Sequence, residues 1–148
     1  MGFLAMGSER FLIQPAKGLK QLWRVLEALA VVQAKGHVPF GEFLSSSAPA
    51  LGRGVSLVAV TPSAEPTWVV SLVQLAHRSI YPLAIAVDAA SFGGAASNAA
   101  MDVAAKSAGI GFVGLQKGVA FTAIRPDATA MDREARQRAS WPVAAAMA

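Results

Sequence analysis

Cysteine is absent from this chain. Disulfides, thiolate nucleophiles and cysteine-held zinc are therefore excluded, and the composition suits a reducing, cytoplasmic setting. Histidine is nearly absent too, with only His37 and His77, which leaves little material for imidazole chemistry. Charge is sparse: 15% of residues are Asp, Glu, Lys or Arg, and the net charge is +4. The few aromatic residues do not interleave with the basic ones, so no nucleic-acid partner is expected. No apolar run reaches the roughly 18 residues that signal a membrane span. The longest candidate, residues 22–32, is broken by Arg24 and Glu27. Residues 1–6 lack the basic flank and cleavage site of a signal peptide.

What remains is a strongly apolar chain, 54% hydrophobic over 148 residues, long enough to build one domain with a core. Two short apolar segments, residues 2–6 and 11–13, surround the turn-like Gly7-Ser8-Glu9 and predict a β-hairpin. Leu19, Leu22, Trp23, Leu26, Leu29 and Ala30 then recur at helical spacing, with Lys20, Arg24 and Glu27 on the other face. This predicts an amphipathic helix that buries Trp23 and ends at Lys35-Gly36, with Gly36 as its left-handed cap. A short helical turn is expected over residues 37–44, and a surface loop over the serine-rich residues 45–54.

The clearest pattern follows. Two apolar runs, residues 55–61 and 82–87, flank a helix that begins near Pro66 and carries Trp68, Val69, Leu72, Val73 and Ala76 on its buried stripe. A small-residue helix over 97–108 stops at Gly109, and a weaker strand spans 111–116. Strands alternating with helices predict a parallel sheet with right-handed crossovers. Helices are expected on both faces, giving an α/β, doubly wound, mostly parallel layer. Residues 119–148 read as a separate tail, poorly ordered or loosely helical near 131–140, with Trp141 unplaced.

Four segments also carry a resemblance. They are Leu12-Ile13-Gln14-Pro15-Ala16-Lys17-Gly18, the helix Gln21-Leu22-Trp23-Arg24-Val25-Leu26-Glu27-Ala28-Leu29-Ala30, then Val58-Ala59-Val60-Thr61-Pro62-Ser63 and Asp88-Ala89-Ala90-Ser91-Phe92-Gly93-Gly94. In this order they resemble the bacterial domain-of-unknown-function family numbered fifty-eight, over residues 1–118. That family is similar to von Willebrand factor A domains, and its members are commonly encoded beside MoxR-type AAA+ ATPases. The resemblance implies a non-enzymatic scaffold or adaptor for such an ATPase, cytoplasmic and, in full-length relatives, at the inner face of the membrane. It also implies a partial domain over residues 1–118. The hairpin would supply the second and third strands, and the first, central strand with its Asp-x-Ser-x-Ser metal loop would be missing, so the chain would be a truncated fragment.

On that alignment the metal site is degenerate. Residues 14–18 offer no threonine, and Thr61-Pro62-Ser63 stands where an Asp is wanted. A hard divalent cation needs a near-complete set of oxygen ligands, so no metal or cofactor is expected. Asp88 sits at the carboxyl end of the second parallel strand, where ligands of such sheets collect; its ordinary role there would be to hydrogen-bond its own turn. Ser63 reads as a helix N-cap. Ser63, His77 and Asp88 have the residue types of a hydrolase triad without the Gly-x-Ser-x-Gly elbow, and no phosphate-binding Gly-Lys-Ser/Thr follows any glycine pair. The candidate partner-binding residues are Thr61, Ser63, Glu65, Asp88 and Ser91. The alternative reading is a small α/β enzyme or nucleotide-binding domain that uses the same strand-end loops.

Overall fold

The computed structural model describes residues 1–119. The chain divides after Pro39 into two compact units, Met1–Pro39 and the residues from Phe40 onward. The tail helix expected near 131–140, and Trp141, lie outside the described residues.

The first unit is the expected hairpin followed by a helix. Strands β1 (Phe3–Met6) and β2 (Arg10–Ile13) pair antiparallel, with Phe3 opposite Ile13 and Met6 opposite Arg10. Helix α1 (Leu19–Val31) follows Gly18, whose φ of 90° needs a residue without Cβ. Its buried residues are Gln21, Val25 and Ala28. The expected stripe is not the buried one: Leu19, Leu22, Leu26 and Leu29 are exposed, and Trp23 is 63% exposed. Helical spacing identifies an apolar face but cannot say that anything packs on it. A two-stranded hairpin is narrow, and it takes the adjacent face instead. The expected Gly36 cap is also displaced. The helix stops at Val31, with Val32 extended and its N–H bonded to Ala28 O. Gly36 serves a close approach, since a Cβ there would lie 3.0 Å from Met6 O.

The second unit holds the α/β layer. Helix α2 (Phe40–Ser47) leads through a 3-10 turn, Ala48–Ala50, into strand β3 (Ser56–Thr61). Helix α3 (Thr67–His77), strand β4 (Tyr81–Val87), helix α4 (Ala99–Ser107) and strand β5 (Gly111–Leu115) follow. The sheet order is β3-β4-β5, and both pairings are parallel. The predicted loop over 45–54 is therefore partly helical. Phe43, Leu44, Ser47 and Ala48 are buried, and the serines remain compatible with helix because Ser45 Oγ donates to Gly41 O and Ser46 Oγ to Phe43 O.

The core lies on one face of the sheet. Ala59, Ala84 and Phe112 are register partners, so they share that face. They cluster with Trp68, Leu72 and Leu75 from α3, Met101 and Ala105 from α4, and Leu44 from α2. Each large side chain fully buried here contributes about 1.5–3 kcal/mol. Both crossover helices thus lie on the same side, which is what two right-handed crossovers stepping in one direction require. Helices on both faces were expected; a sheet whose order never reverses does not produce them. The opposite face carries Val58 and Val60 of edge strand β3, 54% and 57% exposed.

Candidate functional site

Because the three strands run parallel, their carboxyl ends gather three loops at one edge of the sheet. The first follows Thr61, the second follows Val87, and the third follows Leu115.

On the first loop, Thr61 is buried and its hydroxyl accepts the Ser63 N–H at 3.1 Å. Ser63 Oγ accepts the Glu65 N–H at 3.3 Å, and Ser63 O accepts the Trp68 indole N–H at 3.2 Å. Ser63 is not the helix N-cap: that position belongs to Pro66. Proline both enforces the turn and starts the helix at no loss of a needed donor, so the two hydroxyls shape the loop ahead of it. Glu65 is exposed.

On the second loop, Asp88 N donates to Leu115 O at 2.9 Å, which extends the β4–β5 pairing by one residue. Ser91 Oγ donates to Asp88 O at 2.7 Å and accepts the Lys117 N–H at 3.0 Å. One serine thereby closes its own turn and ties the second loop to the third. Gly93, with φ 96°, completes the turn. Asn98 is buried, and its Nδ2 donates to Ala86 O at 2.8 Å, holding the start of α4 against the end of β4.

The carboxylate of Asp88 does not do what the sequence suggests. It makes no cap bond to its own turn: the Ser91 N–H goes to Asp88 O and the Ala90 N–H to Ala96 O, both at 3.0 Å. The residue is only 8% exposed. Oδ2 is 3.5 Å from Gln116 Nε2, the outer limit of a hydrogen bond, and Oδ1 is buried with no partner among the described residues. Leaving such an acceptor without a donor costs roughly 1–3 kcal/mol or more.

The structure therefore joins Asp88 and Ser91 to Gln116 and Lys117, while Thr61, Ser63 and Glu65 form a second group along one loop. Gln116 and Asn98 were not foreseen. The signal for Gln116 was its position as the first polar residue after the third strand, which places it at the same edge. Ser63, His77 and Asp88 do not make a triad: His77 is in the last turn of α3 and Ser63 precedes the first, a separation of about 16 Å along the axis at 1.5 Å per residue. Among the described residues, no group of three or more His, Cys, Asp or Glu is placed to hold a metal, and no helix is long and apolar enough to cross a membrane. An open groove in the first unit, lined by residues including Ile13, Gln14, Arg24 and Glu27, holds none of the candidate residues. No protein-family model, curated protein or solved structure matches this chain.

Proposed function

We propose that the chain is a non-enzymatic interaction domain whose working surface is the carboxyl edge of the parallel sheet, formed by Ser63 and Glu65 on one loop and Asp88 and Ser91 on the next. The supporting observation is Asp88. A nearly buried carboxylate at the ligand-bearing edge of the sheet, released from its own turn, is poised for a group from outside. Thr61 supports this surface from below, since its side chain is buried and its hydroxyl shapes the loop. The order hairpin, helix, then β3-α3-β4-α4-β5 suits a von Willebrand factor A-like domain whose first, central strand is not among residues 1–119. On that reading the partner is a protein, a MoxR-type AAA+ ATPase, met in the cytoplasm.

Glu65→Lys tests the surface. It reverses the charge of an exposed side chain and is expected to reduce capture of a MoxR-type AAA+ ATPase at least severalfold in a pull-down. The unfolding midpoint should stay within about 0.5 kcal/mol, as for most surface changes. Undiminished capture would remove this edge from the interface.

A further inference from the structure

We infer that the Asp88 carboxylate is a receptor for an arginine side chain carried by a protein partner. This rests on the reading of the carboxyl-edge loops as a partner-binding surface, and it assigns the chemistry of the group they receive.

A buried carboxylate is stable when both oxygens accept strong hydrogen bonds, preferably from a cation. Asp88 has neither. Among the described residues, Oδ1 has no donor, and Oδ2 has only the neutral amide of Gln116 at 3.5 Å. No cation among the described residues is paired with it; the ion pair of Lys106 Nζ with Asp102 Oδ2, at 2.9 Å, lies within α4. The vacant need is thus two parallel N–H donors and one positive charge. A guanidinium supplies both in one planar fork, whereas an ammonium offers a point charge without that match. A divalent cation is a poorer occupant, because a single carboxylate gives it one anionic ligand of the several it wants.

The route in is the Gln116 side chain. Gln116 is exposed and holds Asp88 only by the long contact, so it can swing aside at little loss. The Asp88 loop offers Phe92, 54% exposed, an aromatic face of the kind on which guanidinium groups stack. The two loops are already tied together beside Asp88: the Lys117 N–H donates to Ser91 Oγ, which in turn donates to Asp88 O.

The test is titration of the isotope-labelled full chain with N-acetyl-arginine amide and, separately, with N-acetyl-citrulline amide, followed by NMR. Citrulline keeps the shape and loses the charge. The expected result is saturable shifts at the Gln116 side-chain amide and the Ser91 and Lys117 backbone amides. Binding should be at least about tenfold tighter for the arginine compound. Asp88→Asn should abolish the response while the spectrum of α3 and β3 stays native, and Gln116→Ala should preserve it. No saturable shift, equal response to both compounds, or an unaltered response in Asp88→Asn would each overturn the inference. So would a water molecule found on Oδ1 that persists at saturating arginine compound. Arginine binding without ATPase capture would sink the adaptor reading alone; capture without arginine binding would sink only this one.

Discussion

Two tryptophans show what a single position can and cannot disclose. Trp23 and Trp68 both sit on an apolar stripe at helical spacing, yet one is 63% exposed and the other 1%. Trp68 meets a sheet and the edge of the Phe40 ring, 6.1 Å between centroids. Nothing near Trp23 in its sequence distinguishes the two, because burial depends on the neighbour and not on the stripe. Buried polar residues were the least legible. Gln21 has no periodic signature, but its Nε2 donates to Met1 O and Gln14 O, both at 2.8 Å, and so binds helix α1 to both ends of the hairpin. Gln21→Ala is expected to destabilise the first unit by about 1–3 kcal/mol, since two acceptors lose a buried donor. Hydrogen exchange of the β1 and β2 amides measures this. Unchanged protection would show that the hairpin stands without the amide.

At the level of elements, local pattern worked where it coincided with packing. The strands β3 and β4, the helix between them and the helix α4 fall within one or two residues of the sequence reading, because an apolar run bounded by Pro and Gly has few other solutions. The reading placed a helical turn over residues 37–44 but ended it before the serines of α2, which advertise a loop while their hydroxyls bond back to the helix. The crossing of α2 on α3 depends on Gly41, and no pattern in the sequence marks it. A Cβ at Gly41 would lie 3.2 Å from both Ser71 Oγ and Trp68 Cα, and Ser71 Oγ donates to the Gly41 carbonyl at 2.9 Å. Gly41→Ala gains helix propensity but forces the backbones apart. The net expectation is a loss of about 1–3 kcal/mol, a melting temperature lower by several degrees, read by circular dichroism. A higher melting temperature would mean the crossing has slack.

Across the whole molecule, the parallel α/β class was legible and the placement of its helices was not. Whether crossovers cover one face or two depends on the direction in which successive strands are added, and no local pattern encodes that. The outcome is a sheet with Val58 and Val60 bare on an edge strand that has no lysine, proline or bulge to discourage pairing with another chain. Val58→Lys is expected to raise the concentration at which the protein stays clear in light scattering, with the unfolding midpoint shifted by less than about 0.5 kcal/mol. A large loss of stability would reveal that this side is covered after all. The candidate edge has a different link to the interior. The indole that fills the core also holds Ser63 O through its own N–H. Any occupant that pulls on the first loop therefore perturbs a natural fluorophore, and its emission gives a label-free optical gauge of when that surface is engaged.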